Sequence, residues 1–306
     1  MKNNFLKSQD WRNIMFKYNS FISLILLFLI SQYCLSETVI TIGSKDLLNK
    51  SSVIAIVTLN ENAIENANVS ATIQSVIKGN IKNNIIIQFM FPTLDNIVRE
   101  VFPAKYGQTF LVFLNNKKVG SQTFIPIFGK QGVRRIREDQ IDITHDLLSK
   151  FLKWDLLDFH SQNELLKKSL SGPSVIRELT LDWLLHEEHG NLLKDEHLNS
   201  TILDGIIGNC TAERPDIRKR SIMAIALISK TNAHVIPYLI DRINDSDSDI
   251  QKYVVNVLDG SFGGYGPVQI RTATIEDRIA ILMKWWNDIG FKDIKFQRYE
   301  VNKDIK

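Results

Sequence analysis

Cysteine is scarce in this chain, which contains only Cys34 and Cys210 among 306 residues. Cys34 belongs to an N-terminal segment that we expect to be removed, so that Cys210 would remain alone. One cysteine cannot form an internal disulfide, and the sequence therefore excludes a disulfide framework and requires a fold stabilised by packing. We interpret Cys210 as a small buried residue, because the sequence shows no partner that would activate its thiol.

The chain also lacks an apolar run long enough to span a membrane as a helix. Its most apolar stretch, residues 21–30, reaches only about 15 residues when it is extended to Leu35, whereas a spanning helix needs about 20. We therefore expect no stable membrane span in the mature protein. A short apolar run near the N-terminus is instead typical of an export signal.

Residues 1–36 contain the three parts of an export signal peptide. Basic residues come first, the apolar run follows, and the small residues Cys34 and Ser36 occupy the −3 and −1 positions of a cleavage site. The basic part is long for a signal, and Met15 is an alternative start that would shorten it. We expect cleavage before Glu37 and an exported protein, located in the periplasm or outside the cell.

The mature chain carries almost no net charge. The full sequence has 37 Lys and Arg residues against 34 Asp and Glu residues, a formal net charge of +3. The predicted signal accounts for four of the basic residues and one of the acidic residues, which leaves 33 of each. A neutral chain gives no electrostatic reason to expect nucleic acid or an acidic membrane as partner, and we expect another protein instead.

Recognisable catalytic and cofactor-binding motifs are absent from the sequence, and we predict no catalytic residue and no cofactor. One metal-binding pattern is open to two interpretations. His186 and His189 are spaced to lie on one face of a helix, where two imidazoles could bind zinc or copper. The spacing differs from the H-E-x-x-H motif of metalloproteases, and a solvated helix end before Gly190 is the interpretation that we favour for both residues. The favoured prediction is no metal, and the alternative is an exported metal-dependent enzyme centred on this pair.

Residues 37–137 show short runs of β-strand type, of which some are apolar throughout and others alternate between apolar and polar residues. Six such runs are separated by turns rich in Gly and Asn: 53–57, 69–74, 85–89, 109–114, 123–127 and 132–136. The run 109–114 is apolar on both faces, which predicts a central strand. Pro126 indicates an edge or a bulge in its strand. Strands of this length and spacing favour a small antiparallel barrel.

The order of motifs in about residues 45–136 resembles the netrin/TIMP-like group of OB-type barrels. The matching pieces are the early strand 53–57, the phrase Val76-Ile77-Lys78-Gly79, Tyr106-Gly107-Gln108 before strand 109–114, and Gly129-Lys130-Gln131-Gly132. The resemblance implies an OB-type barrel in an exported protein. Metalloprotease inhibition in that group requires an N-terminal cysteine and disulfides, which this chain lacks, so that activity is not carried over. An inhibitor module acting through the barrel in another way is a second alternative function.

One phrase occurs twice, at an offset of 33 residues: Pro215-Asp-Ile-Arg-Lys and Ser248-Asp-Ile-Gln-Lys. Apolar residues follow it at helical spacing, and we expect Ile222, Ile225 and Ile228 to share one buried face. Ser248 and Gln251 have the spacing of a capping box, which predicts the start of a helix. A repeat of this length built from helix pairs is typical of a solenoid.

The second part of the chain resembles HEAT repeats. The resemblance depends on the repeated phrase, on Pro237 in the intervening helix and on the Asn244-Asp245 turn. It covers about 50 residues closely and extends more weakly over the helical region 171–290. The resemblance implies stacked helical hairpins with a concave surface for binding another protein. A capping pattern at Thr274 predicts the start of the last helix.

Together these patterns predict an α+β chain of several parts. Beyond the signal we expect a barrel domain at 37–137, a helical connector at 138–170, a HEAT-like domain at 171–290 and a charged tail at 291–306. The predicted function is an exported, non-enzymatic binding or scaffold protein that uses the barrel and the helical surface. The oligomeric state does not follow from the sequence.

A basic cluster at the end of the predicted barrel supplies the candidate binding residues. Arg134, Arg135 and Arg137 follow Lys130 closely and could take an anionic group. We favour a solvated strand edge as the interpretation of this cluster, because edge strands use charged residues to block unwanted pairing.

Overall fold

A computed structural model describes residues 43–65, 68–90, 107–116, 123–127, 132–186, 193, 200–261 and 274–292. These residues all belong to one compact unit. The predicted signal peptide and almost all of the predicted tail lie outside them. Within the described ranges, no helix is both long and apolar enough to cross a membrane.

Six strands form the first part of the fold: β1 Val53–Glu65, β2 Asn68–Lys78, β3 Ile86–Met90, β4 Thr109–Asn116, β5 Thr123–Pro126 and β6 Val133–Ile136. Their order is β1-β2-β3-β5-β4-β6, and β1 also pairs with β4. Five strands therefore close into a ring, and β6 is added beside β4. Only the β3–β5 pair is parallel among the described pairs. The predicted barrel is confirmed, with this parallel pair as a difference.

Strand β1 is 13 residues long and extends well beyond the predicted run. Its register with β2 shifts at three places, which lets the strand bend around the barrel. In the sequence, the polar residue Asn60 makes the continuation of strand β1 beyond the predicted run 53–57 hard to recognise. In the fold its amide donates to Ser70 Oγ at 3.0 Å and accepts from Thr72 Oγ1 at 2.7 Å, so that its polar atoms find partners on the neighbouring strand.

Residues 53–57 of β1 and 109–114 of β4 are buried on both faces, as predicted for 109–114. Alternate residues of each strand point to two different clusters. The barrel core includes Val57, Phe110, Val112 and Leu114. The shared core brings the opposite faces of β1 and β4 together with the helices through Ile54, Ile56, Leu111 and Phe113.

Nine α-helices occur in the described ranges: α1 Ser44–Lys50, α2 Ile141–Phe151, α3 Phe159–Leu170, α4 Ser174–Leu185, α5 Ser200–Asn209, α6 Pro215–Ile228, α7 Ile236–Ile240, α8 Ser248–Ser261 and α9 Ile275–Asp288. The predicted α+β class is confirmed. Helix α4 is central, because it contacts α1, α3, α6 and strand β6. The shared core also includes Leu147, Leu148 and Phe151 of α2, which lies in the predicted connector. The predicted domain boundary at 138–170 stays a prediction.

The predicted buried face of the repeat is confirmed. Ile222 and Ile225 have no exposed surface, and Ile228 is 2% exposed. The intervening helix α7 is only five residues long, with Pro237 in its first turn. Helix α8 does begin at Ser248, but the capping box predicted for that residue is wrong.

The cap of α8 is Asp247, whose Oδ1 accepts from the backbone N–H groups of Asp249 at 2.9 Å and Ile250 at 3.2 Å. The carboxylate of Asp247 precedes Ser248 and accepts from the N–H groups of both Asp249 and Ile250. Ser248 is therefore the first helical residue and not the cap. The cap predicted at Thr274 is confirmed, since its Oγ1 accepts from Asp277 N at 3.2 Å.

Candidate functional site

An open groove lies where the end of β6 meets the helices. Its walls come from β6 and the turn that follows, the α3–α4 turn, the first turn of α4 and the α5–α6 loop. Four arginines line it, namely Arg135, Arg137, Arg177 and Arg214, together with one acidic residue, Glu213. We call this feature the arginine groove. Its volume of about 620 Å³ is within the range of ligand-binding clefts.

Two of the arginines come from the basic cluster predicted in the sequence. Arg135 is exposed at the end of β6. Arg137 follows the strand, and its Nε donates to Asp139 Oδ1 at 2.9 Å. This hydrogen bond raises the pKa of Arg137 and lowers the pKa of Asp139. Both groups are solvent-exposed, so we attach no stability to the pair.

Arg177 projects from the first part of α4 and is held by a buried asparagine. Its Nη1 donates to Asn209 Oδ1 at 3.1 Å. Asn209 is 3% exposed, and its amide donates to the carbonyl groups of Leu170 and Gly205, each at 2.8 Å. These two bonds fix the position of the Asn209 side chain. The Arg177 guanidinium, which donates to Asn209, therefore has a defined orientation at the edge of the groove.

Arg214, from the α5–α6 loop, connects the groove to a set of charges beneath it. Its Nη2 donates to Glu178 Oε2 at 2.8 Å, and its Nε donates to Asp216 Oδ1 at 3.1 Å. Burial alone would lower the pKa of Arg214, but the bonds and charges of Asp216 and Glu178 outweigh burial and raise it. The Arg214 cation is therefore already neutralised by the protein.

Glu178 is the centre of this second set, which we call the junction cluster: Arg134, Glu178, Asp182, Arg214 and Arg220. Glu178 is only 5% exposed. Its Oε1 lies 3.4 Å from Arg134 Nε and 3.6 Å from Arg220 Nη2. Asp182 extends the cluster to α1, since its Oδ2 accepts from Ser44 N at 2.6 Å and from Ser44 Oγ at 3.0 Å. The cluster therefore ties β6, α1, α4 and α6 together.

The predicted binding residues thus divide between two environments. Arg135 and Arg137 line the groove, whereas Arg134 pairs with Glu178 and is not among the lining residues. Lys130 lies outside the described residues. Arg177 and Arg214 are distant from β6 in the chain and were not predicted as binding residues. A weak signal exists for Arg177, because a cation near the start of a helix is electrostatically unfavourable without an anion close by.

The histidine pair of the alternative metal site, His186 and His189, cannot be assembled from the described residues. His186 ends α4, and its ring lies so close to Gly43 that a Cβ atom there would be 3.0 Å from His186 Cδ2. His189 lies outside the described ranges. Among the residues that are described, no group of three or more His, Cys, Asp or Glu residues could hold a metal ion. The prediction of no metal at this pair stays a prediction, and its metal-binding alternative is also untested.

Cys210 is buried, as predicted. It is 4% exposed, and its Sγ lies 3.5 Å from Ser221 Oγ. Burial raises the pKa of Cys210 to about 11, although the Ser221 hydrogen bond opposes the shift. The thiol is therefore protonated at neutral pH, which is consistent with a packing role.

A second groove of similar size, about 610 Å³, lies between α6 and α8. Lys230 is its only charged lining residue, and the others include Leu227, Tyr253 and Asn256. The two grooves therefore differ in charge rather than in volume. Of these two grooves, the arginine groove presents four arginines to a ligand and the second groove presents one lysine.

Comparison with known proteins leaves the family open. No protein-family model matches the chain, and no curated protein matches it. The resemblances to netrin/TIMP-like barrels and to HEAT repeats therefore remain predictions from sequence motifs, and the role of the arginine groove has to be inferred from its own geometry.

Proposed function

We propose that this chain is an exported, non-enzymatic binding protein that engages another protein at the arginine groove. The observation that carries this proposal is the groove itself, a cleft of about 620 Å³ with four arginines at the boundary between the barrel and the helices. Such boundaries are frequent places for binding sites, because they combine a concave shape with side chains from several elements.

The surroundings of the groove favour binding by a preorganised surface. Its walls are attached to β6 and α4, which contact each other and are linked by the Arg134–Glu178 ion pair. Arg177 is oriented by buried Asn209. Side chains that are already ordered lose little conformational entropy when a partner binds, so more of the contact energy becomes affinity.

We also propose that the barrel is of the OB type and that the helices around α6 to α8 form HEAT-like repeats. The first proposal is supported by the closed ring of five strands, in which β4 returns to pair with β1. The second is supported by α6 and α8, which begin at equivalent positions of the repeated phrase and pack against each other. Both architectures are used for binding in other proteins.

Site-specific photo-crosslinking in the producing cells tests the function. A photoreactive amino acid at Gln140, which lines the groove, should capture a discrete partner protein. The same amino acid at Asp155, which is exposed and is not a lining residue, is the matched control and should not capture it. Equal capture from both positions, or none from Gln140, would contradict the proposal.

A further inference from the structure

We propose that the partner segment bound in the arginine groove is an extended, acidic peptide, held by Arg135, Arg177 and the first turn of α4. This inference rests on the proposed function and deepens it, because it names the chemistry that the groove recognises. It is carried by three features of the groove: the uncompensated arginines, the start of α4 and the edge of β6.

The first feature is the balance of charge. Arg137 and Arg214 already have carboxylate partners in Asp139, Asp216 and Glu178. No described carboxylate lies within salt-bridge distance, 4.0 Å, of either Arg135 or Arg177. The only described acceptor for the Arg177 guanidinium is the neutral amide of Asn209. Two guanidinium groups therefore face the groove with donors to spare, and their planar geometry suits carboxylates.

The second feature is the first turn of α4, a helix of 12 residues whose cap position is Pro173. Proline has no side-chain acceptor, and no described side chain caps the free N–H groups of this turn. Pro173 and Ser174 both line the groove, so the positive end of the helix is directed to the same space as the arginines. A carboxylate there would supply the acceptor that the cap residue lacks.

The third feature is the edge of β6, which favours an extended chain over a small ion. Arg135, Ile136 and Arg137 are consecutive, and all three line the groove. Arg135 and Ile136 are the last two residues of β6, and Arg137 follows the strand. Because successive strand residues point to opposite faces, a groove that touches both Arg135 and Ile136 reaches the strand edge. In the described part of the sheet, β6 pairs only with β4. A peptide could therefore follow its other edge, as in β-strand addition.

The size of the groove also favours an extended peptide over a small ion. A volume of about 620 Å³ is many times the share of about 30 Å³ that one water molecule occupies, so a single inorganic anion would leave most of it filled with water. Alternate side chains of an extended peptide recur about 6.8 Å apart on one side. Two acidic side chains of one segment can thus contact arginines on different elements at the same time.

Fluorescence anisotropy with labelled hexaglutamate tests the inference on the purified full chain, with labelled hexaglutamine as the uncharged control. We expect hexaglutamate to bind, hexaglutamine not to bind, and the affinity to fall as salt is raised. Arg135→Glu and Arg177→Gln should each weaken binding at least about ten-fold, the loss expected for one charged hydrogen-bond partner. Lys252→Glu, which makes the same charge reversal at an exposed site outside the groove, should bind like the wild type. Thermal melts establish that the variants are folded.

Four results would overturn the inference. Unchanged binding by both groove variants, or an equal loss in Lys252→Glu, would show that the peptide binds elsewhere. Inorganic phosphate that displaces the peptide at an equal concentration of charge would indicate a small-anion site. Labelled single-stranded DNA that binds as tightly with the same dependence on Arg135 would indicate a different class of partner.

The outcome is distinguishable from that of the proposed function. If Gln140 still captures its partner after Arg135→Glu, the protein-binding function stands and the acidic specificity falls. If hexaglutamate binds as expected but Gln140 captures no protein, recognition of acidic groups stands and the protein-binding function falls.

Discussion

The two faces of the strands beside the helices have different roles. On β4, Leu111 belongs to the shared core and Leu114 to the barrel core, although both have no exposed surface. On β6 the same alternation separates charges: Arg134 pairs with buried Glu178, and its neighbour Arg135 is exposed in the arginine groove. The adjacent arginines of β6 therefore differ in role, because Arg134 stabilises the fold and Arg135 lies at the surface.

This comparison shows why a basic cluster in a sequence cannot be treated as a single site. Strand periodicity predicts that neighbours point to opposite faces, but it does not say which face meets a carboxylate. That depends on α4, which brings Glu178 to one side of β6 and Arg177 to the groove. The following predictions test the separation of the two faces.

The largest effects are expected for Leu111→Ala and Leu114→Ala, each of which should lower the free energy of unfolding by about 3–5 kcal/mol. Both leave a cavity in a fully buried position. They should differ in where the fold loosens. Leu111→Ala should increase hydrogen exchange in β4 and in the helices of the shared core, whereas Leu114→Ala should increase it within the barrel strands only. Identical exchange patterns would contradict the division into two cores.

Glu178→Gln should lower the free energy of unfolding by about 3 kcal/mol, the lower end of the range for breaking a buried ion pair, because its arginine partners are partly exposed. Denaturant titration measures the effect. Glu213→Gln is the matched control, since Glu213 is exposed at the groove and should change stability by less than about 0.5 kcal/mol. Equal effects of the two changes would mean that the junction cluster does not stabilise the boundary.

Local patterns in the sequence were sufficient for much of the fold. The six strands could be predicted because each is a short apolar or alternating run between turns, and the buried face of Ile222 and Ile225 could be predicted from helical spacing. The continuation of β1 was not, because Asn60 looks like a turn residue until Ser70 and Thr72 are placed beside it. The cap of α8 was misassigned by one residue for a similar reason, since Asp247 and Ser248 are both good caps.

The candidate site was predicted only in part, and the limit is physical. Arg135 and Arg137 were found because they are close together in the sequence. Arg177 and Arg214 reach the same groove through helix packing and through the buried amide of Asn209, and neither contact leaves a local pattern. The ion pair between Arg134 and Glu178 could not be predicted for the same reason, because it also depends on helix packing.

The ion pair between Arg218 and Asp245 is buried and lies away from β6, so it can be compared with the charges of the junction cluster. It also predicts that the free energy of unfolding depends on pH. Arg218 Nη2 donates to Asp245 Oδ1 at 2.9 Å, and their side chains are 11% and 3% exposed. Burial favours a raised pKa for Asp245, but hydrogen bonds from Arg218 and from the Asp247 N–H outweigh it and lower the pKa. The stabilisation is therefore present above the ordinary carboxyl pKa of about 3.9 and is lost as the pH falls through the lower, folded-state value.

Asp245→Asn should accordingly cost about 1.5–3 kcal/mol at pH 7, the usual range for a hydrogen bond to a charged group. The difference between wild type and variant should shrink below about pH 4, as the wild-type carboxylate becomes protonated. Denaturant titrations at pH 7, 5 and 3 measure this. A difference that stays constant over that range would mean that the charge of Asp245 does not contribute.

The smallest effect is expected at the surface arginine of β6, and it tests the comparison most directly. Arg134→Gln removes a partner of buried Glu178 and should cost about 1–3 kcal/mol. Arg135→Gln, one residue along the same strand, should change the free energy of unfolding by less than about 0.5 kcal/mol, because the side chain is exposed and no described carboxylate pairs with it. The chemical change is the same in both variants, and the two residues differ in the face of the strand that they occupy. A difference between their free energies of unfolding, measured by denaturant titration, therefore reports the effect of that face. Equal costs at the two positions would mean that Arg135 is also a structural residue, and the groove would lose one of the two cations on which acidic recognition depends.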